Sequence, residues 1–431
     1  MKPGRVIVTY GRSLMSLVIA QSLSRHGVEV IGCDNVDLTV LSFSRHVEDT
    51  FVHPPLEDDE DAYFDSLIEN IGKFRPEDDR PYLLMPVFQN TAAIARNRNR
   101  LEQLITIAAP QWESIEKIFP KHNLAKTAAE TNANIPKTLY ADDLNNVEDK
   151  IRALKAPLMI KPTAGVGGRG ITTHETTAEA LEALTAFKEE TGETPLIQEK
   201  AQGEDYCFTG LFRNGELLAH MAYRNLKSFP IDTGAGSFRK TVEDSPFIES
   251  AAALMKATNW TGVAEIDFLW TGKKDDAPTI IEVNPRFWAG LFHSIKSGID
   301  FPWLLYQLFT TGETDQPPVV RVGEITKTPG LWLASTAQEI AESDFQFDRL
   351  KDAWQSEDNA NILQKVGNVS SAISDAVDLD DACFRLIEAF DTAKNSSDEL
   401  SEVKDPFAGL GILFVLSSLA RHGHLPPEMK G

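Results

Sequence analysis

Residues 5–10 read Arg-Val-Ile-Val-Thr-Tyr, a β-branched apolar run halted by Gly11. A run this short, bounded by glycine, predicts a buried strand. Leu14, Leu17, Val18 and Leu23 then recur at helical spacing, with Gly27 as a stop. Val28–Cys33 is a second apolar strand that ends at Asp34. Strand, helix and strand in that order predict a parallel sheet with a crossover helix. Leu83–Pro86 and the polar Gln89-Asn90 continue this lobe. Arg45 reads as an exposed charge, with a substrate contact as the alternative.

Further along, Trp112–Asn134 has the pattern of a helix closed by Ile135-Pro136. Residues 156–161 form a strand that runs into a glycine-rich segment, and Ile171–Thr173 returns as its antiparallel partner. Glu175–Glu190 is helical in pattern, and Pro195–Glu199 is again a strand. Two later strands alternate. In Val263–Phe268, Glu265 and Asp267 share one face, with Ile266 and Phe268 opposite. From Thr279 onward, Glu282 and Asn284 share a face, which leaves Ile281 and Val283 to the other. Joining these strands through the Gly272–Pro278 turn puts Asp267, Glu282 and Asn284 on one wall. Thr314–Pro318 reads as a loop, and the last hundred residues as mainly helical. There, Leu379, Cys383, Leu386, Ile387 and Phe390 follow an amphipathic stripe.

Composition narrows the class. With 431 residues, 42% hydrophobic and 25% charged, the chain is an ordinary globular protein too long for a single core. A net charge of −22 argues against nucleic acid and anionic membrane as partners, but leaves room for a small anionic ligand held by a local cluster of cations. Cys33, Cys207 and Cys383 are too far apart for a zinc motif or a disulfide framework, and fit a reducing compartment. No HExxH-like pair occurs, so His220 and His293 read as surface or core residues. The first residues resemble a signal peptide only superficially, and the late apolar run Gly409 to Ala420 is too short to span a bilayer. A cytoplasmic location is expected.

The first βα turn invites a dinucleotide reading with Asp34 on a ribose. That fingerprint needs three glycines, and this turn has Gly11 alone, so a Rossmann-like lobe without NAD(P) is expected. Three later stretches carry more chemistry. Met159-Ile160-Lys161-Pro162 precedes Gly165-Val166-Gly167-Gly168-Arg169-Gly170. A strand ending in lysine beside backbone N–H groups suits phosphate oxygens, and a flexible hairpin tip explains the glycines equally well. The Gly-Lys-Ser/Thr ending of a P-loop is missing. Gln198-Glu199-Lys200-Ala201 can bracket a purine at a strand end, with Glu204 or Asp205 placed for ribose hydroxyls; by itself the stretch is also a solvated turn. The wall of Asp267, Glu282 and Asn284 offers hard oxygen ligands suited to Mg²⁺ (or Mn²⁺), with Arg286 two residues on.

In this order the three stretches resemble the ATP-grasp superfamily, of the carboxylate–amine ligase type, in its carbamoyl-phosphate-synthase-like and amino-acid-ligase branches. The resemblance covers Trp112 to Gly312. It implies an α/β and α+β fold: a Rossmann-like lobe over 1–118, a two-lobed ATP-grasp domain over 119–325 hinged near 199–205, and a mainly helical region over 326–431 that matches no family element. It also implies ATP and magnesium as cofactors. Lys161 matches the phosphate-contacting lysine, and Gly165, Gly167, Gly168 and Gly170 belong to the loop over the phosphates. Lys121 and Lys126 both match the first phosphate-binding cation. Glu199, Lys200 and Ala201 match the adenine hinge, and Asp205 the ribose carboxylate. Asp267, Glu282 and Asn284 match the metal ligands, with Arg286 near the transferred phosphate.

The implied reaction activates a small carboxylate as an acyl phosphate and couples it to an amine, with release of ADP and phosphate. Arg224 and Arg239 are candidates to hold a substrate carboxylate, and Trp288 to floor the acceptor pocket or pack in the core. The expected partners are small carboxylate and amine substrates, with a homodimer left open. The alternatives are a phosphotransferase of the same fold and a non-catalytic nucleotide-binding module.

Overall fold

The computed structural model describes residues 3–119, 121–131, 133–139, 147–162, 171–192, 194–229, 235–328, 396–398 and 405. The first lobe is built from β1 (Arg5–Val8), α1 (Leu14–Arg25), β2 (Glu29–Asp34), β3 (Asp49–Val52), α2 (Glu60–Lys73), β4 (Tyr82–Met85), α3 (Asn90–Arg96) and β5 (Thr106–Ile107). The apolar runs pair in parallel in the order β3-β2-β1-β4-β5. Ser13 caps α1 by accepting from the Met15 amide. Residues Met15–Leu23 of α1 are all buried, polar ones included, because the helix is covered on both sides. Asp34 is buried at the end of β2 and accepts hydrogen bonds from the Arg12 amide and side chain, so its carboxylate serves the first turn.

The predicted helix over Trp112–Asn134 is two helices, α4 (Trp112–Glu116) and α5 (Lys121–Ala129). Pro120, which has no amide to donate, falls between them in sequence. A small sheet follows from β6 (Thr138–Leu139), α6 (Val147–Arg152), β7 (Leu158–Lys161), β8 (Thr172–His174), α7 (Thr177–Thr191) and β9 (Leu196–Glu199), ordered β6-β9-β7-β8. The return strand β8 is antiparallel to β7 as the pattern predicts. A capping box of Thr176 and Glu179 starts α7, and Gly192, at φ 70°, ends it.

The second sheet is larger. Its elements are β10 (Glu204–Arg213), β11 (Glu216–Phe229), β12 (Ala235–Val242), α8 (Ser245–Ala257), β13 (Gly262–Trp270), β14 (Thr279–Asn284), α9 (Leu291–Ser297), α10 (Phe301–Thr311) and β15 (Ile325–Lys327). The strands are ordered β14-β13-β10-β11-β12-β15. One face, with Phe208, Phe212, Ile266, Phe268 and Ile280, packs with Phe247, Ala251 and Leu254 of α8. The predicted amphipathic stripe around Cys383 lies outside the described residues. Among the described residues, no helix is long and apolar enough to cross a membrane.

The lobes share a core. Val6, Leu17 and Leu23 of the first lobe belong to one apolar cluster with Leu211 and Met221 of the large sheet and with Phe301, Leu304 and Leu305 of α10. Polar ties cross the same seam: the Gly4 amide donates to the Tyr306 hydroxyl at 3.0 Å, and Ser22 Oγ donates to Asp300 Oδ1 at 2.5 Å. Leu305 is fully buried there. Leu305→Ala is expected to cost about 2–5 kcal/mol through lost burial and a residual cavity. Urea unfolding followed by tryptophan fluorescence should show the loss in one shared transition for both lobes; two separated transitions would contradict the common core.

Candidate functional site

Antiparallel pairing of β13 with β14 sets Asp267 opposite Glu282 and Glu265 opposite Asn284. On the other side of β13, Asp267 pairs with Cys207 of β10, which in turn pairs with Tyr223 of β11. Because side chains alternate along a strand, these residues share one face of the sheet. The candidate metal ligands Asp267, Glu282 and Asn284 are therefore neighbours.

A register shift between Asp267 and Phe268 interrupts the alternation of β14. Asp267 faces Glu282 while Phe268 faces Ile280, so Ile281 is the extra residue of a bulge. Ile281 was expected to share the core face with Val283. Instead Ile280 and Val283 fill the core, and Ile281 is half-exposed and lines a cleft toward the small sheet.

The carboxylates crowd one another. Asn284 Nδ2 donates to Asp267 Oδ2 at 3.1 Å, and Arg286 Nη2 donates to Asn284 Oδ1 at 3.2 Å. Glu265 is buried, and its Oε1 accepts from the Tyr223 hydroxyl at 2.6 Å. Asp267 Oδ1 is buried with no hydrogen-bond partner. Burial pushes the Asp267 carboxyl well above the usual carboxylate range, and the neighbouring charges of Glu265, Asp205 and Glu282 push it further. Burial raises Glu265 as well; the Tyr223 hydrogen bond and the Arg286 and Arg239 charges oppose the rise. Cys207 lies within the same cluster, its thiol held neutral by burial and by the carboxylates around it. An unsatisfied carboxylate oxygen amid like charges, all on hard donors, fits a divalent cation such as Mg²⁺. A neutral thiol is no ligand for such an ion.

Across the cleft stands the small sheet. Leu158 and Ile160 turn into its core, which sends Lys161 to the opposite face. Lys161 Nζ donates to Gln198 Oε1 at 2.6 Å, and Gln198 Nε2 donates to Thr138 Oγ1 at 2.8 Å. Leu124, Ala125, Ile135 and Leu196 complete the lining. The Glu199 side chain accepts from the Lys155 amide, and the amides of Glu199 and Lys200 bond Lys137 and Pro157 carbonyls. Ala201 follows, half-buried. Lys121 opens α5 one turn before Ala125, with its side chain outside the described residues, while Lys126 is exposed. Gly165, Gly167, Gly168 and Gly170 lie outside the described residues.

The remaining candidates divide. Asp205 is on the metal-wall face of β10 and bonds Asn225. Arg239 is buried on β12, donating to Thr328 Oγ1 at 2.7 Å, and pairs in register with Asn225. Arg224 is turned to the opposite face of β11 and is held by Glu204 at 2.7 Å. Trp288 is fully buried, its indole N–H bonded to Ser294 and its ring edge-on to Phe301, so it serves the core. Arg45 is exposed. His293 is buried between Thr241 and Thr326, and His220 pairs with Asp244 at 2.7 Å. Gln198, named from the sequence only as part of the hinge stretch, is placed by alternation beside Lys161, and Tyr223 carried no role there because its position depends on β11 pairing that no local motif signals.

The ATP-grasp domain family model matches residues 120–290. The carbamoyl phosphate synthase large chain of Thermoanaerobacter pseudethanolicus is 23% identical over 230 residues, covering 49% of this chain. This chain spans only 20% of the length of that relative. Biotin carboxylase from Campylobacter jejuni shares the fold with a TM-score of 0.57 at 14% identity, over 74% of each chain. L-amino acid ligase from Bacillus licheniformis does so with a TM-score of 0.53 at 18% identity, over 75% of this chain and 78% of that one. N5-carboxyaminoimidazole synthetase from Staphylococcus aureus gives 0.55 at 14% identity, over 75% and 81%. With the paired strands, the lysine-bearing small sheet and the family match all falling on the same residues, the chain carries an ATP-grasp domain seated on a Rossmann-like lobe.

Proposed function

We propose that the protein is an ATP-dependent, ADP-forming carbon–nitrogen ligase that activates a small carboxylate as an acyl phosphate and couples it to an amine. The observation that carries this reading is the convergence of Asp267, Glu282 and Asn284 around an unpartnered, buried carboxylate oxygen. Similar folds include an L-amino acid ligase and a synthetase solved with ADP, which supports the same class.

In this reading the nucleotide lies in the cleft between the small sheet and β14. Ile281 and Leu196 offer apolar faces to the base, and the Ala201 segment reads its edge. Lys161 meets the phosphates from the small sheet, with Gln198 fixing the direction of its ammonium. Lys121 or Lys126 supplies the second cation of that lobe. Asp267, Glu282 and Asn284 hold Mg²⁺, which supplies charge neutralisation for the β- and γ-phosphates when bound. Arg286 steadies negative charge on the transferred phosphoryl group, and Arg239 is the better placed of the two candidate arginines for a substrate carboxylate. The substrate carboxylate attacks the γ-phosphorus, ADP leaves, and the amine then displaces phosphate from the acyl carbon. No nucleophilic side chain is required.

Mixing the protein with Mg-ATP, amino acids and small carboxylic acids should yield ADP together with free phosphate and a coupled product seen by mass spectrometry. A stable phosphorylated acceptor would instead establish phosphotransfer. Lys161→Ala and Glu282→Ala are each expected to lower ADP release by about 10²-fold or more. Unchanged release in either variant removes that residue from the mechanism.

The raised Asp267 carboxyl has a thermodynamic signature. The unfolded chain ionises in the ordinary carboxylate range and the folded chain at higher pH, so stability falls as pH rises between the two. Without metal, Asp267→Asn should therefore melt above wild type at pH 7.5, by about 1 °C per kcal/mol relieved. The gap should close as pH drops below the ordinary carboxylate range. Mg²⁺ should raise the midpoint of wild type and not of Asp267→Asn, as differential scanning fluorimetry would record.

A further inference from the structure

Two bulky residues adopt positive φ in the first lobe, Tyr10 at 60° and Phe88 at 56°. Asparagines in turns visit this region easily, but aromatic side chains do so rarely, and such strain gathers where a position is functionally constrained. Both residues stand at carboxyl ends of strands, Tyr10 after β1 and Phe88 after β4. In the order β3-β2-β1-β4-β5, chain direction across the sheet reverses between β1 and β4. This is the switch point where open parallel sheets present their functional edge.

The two rings stack, with centroids 5.1 Å apart and planes 18° from parallel. The Val87 amide donates to Thr9 Oγ1 at 2.9 Å, binding together the chain segments that carry the rings. Beyond them, the guanidinium of Arg286 lies 4.8 Å from the Phe88 ring centroid. Arg286 also donates to Asn284 Oδ1 at 3.2 Å and to the Phe287 carbonyl at 3.1 Å. Its head is thus fixed by Asn284 on the metal wall and by an aromatic face from another lobe. A planar guanidinium on an aromatic face is held in orientation as well as position.

We infer that Phe88, braced by Tyr10, is a positioning residue for Arg286, so that the Rossmann-like lobe sets the angle at which Arg286 meets the terminal phosphate. This rests on the nucleotide reading given above. Phe88 touches neither nucleotide nor metal in this scheme and acts through Arg286 alone. Removing its aromatic face should harm whatever Arg286 does and spare binding of a nucleotide that lacks the terminal phosphate.

The test compares binding of a non-hydrolysable ATP analogue, adenylyl imidodiphosphate, with binding of ADP, both with Mg²⁺, by isothermal titration calorimetry. Phe88→Leu is expected to weaken the analogue relative to ADP by about 3- to 30-fold, the range of one cation–π contact. Phe88→Tyr should restore wild-type discrimination. Arg286→Ala should lose discrimination by itself, and adding Phe88→Leu to it should then change nothing further. Thermal midpoints identify any variant that has simply lost its fold, and Phe88→Met supplies the second non-aromatic variant if Phe88→Leu is one of them: weakened discrimination in folded Phe88→Met upholds the role, and wild-type discrimination in it overturns the role. Additive losses in the double variant, or wild-type discrimination in folded Phe88→Leu, overturn the role of Phe88 alone. Wild-type protein that binds neither nucleotide overturns the nucleotide reading itself, and with it this inference.

Discussion

Antiparallel strands bring residues together in pairs, and in β13 and β14 the pairs are Asp267 with Glu282 and Glu265 with Asn284. Everything else in the candidate site is arranged around that register. Shifting it by one residue would turn the carboxylates into the core and the phenylalanines and isoleucines to the cleft, so apolar burial on one face enforces the polar gathering on the other. The aromatic and aliphatic side of β13, packed on α8, is therefore what holds the acidic side in place.

Gathering carboxylates is costly, and the sheet meets the cost locally. Tyr223 donates to Glu265, Asn284 donates to Asp267, and the charges of Arg239 and Arg286 lie close enough to favour ionised Glu265. Each of these groups comes from a different part of the chain: Tyr223 from β11, Arg239 from β12, Arg286 from just beyond β14. Among the described residues, two oxygens remain unsatisfied, one of Asp267 and one of Asn225. A buried cluster that satisfies most of its polar atoms and leaves an acidic oxygen open suits an external cation there.

Much of this was legible in the chain itself. The parallel lobe follows from β-branched runs alternating with a 3.6-residue stripe, and the β13–β14 hairpin from period-two alternation around a polar turn. These signals are local, and local signals survive without tertiary knowledge. The misplacements have a common cause in effects that act between elements. Ile281 left its expected face because a bulge added one residue to β14. The face that Arg224 takes is likewise set by the partners of β11 and not by its own sequence. The helix of Trp112–Asn134 looked continuous by its apolar spacing, which does not register a missing amide. The aromatic ladder of Tyr10 and Phe88 joins residues 78 positions apart and leaves no trace in either neighbourhood.

The continuous core between the lobes also separates two boundaries that are easily taken for one. The family match ends at residue 290, yet Trp288 rests on Phe301, and Leu211 belongs to the same apolar cluster as Leu17 and Leu305. A fragment cut to the matched residues would keep the ligand-facing strands and α8 behind them, and lose the α1 and α10 surfaces that cover Leu211 and Met221. It would come out of the cell as a sticky half-structure. The span that is inherited as a recognisable unit is thus shorter than the span that can fold.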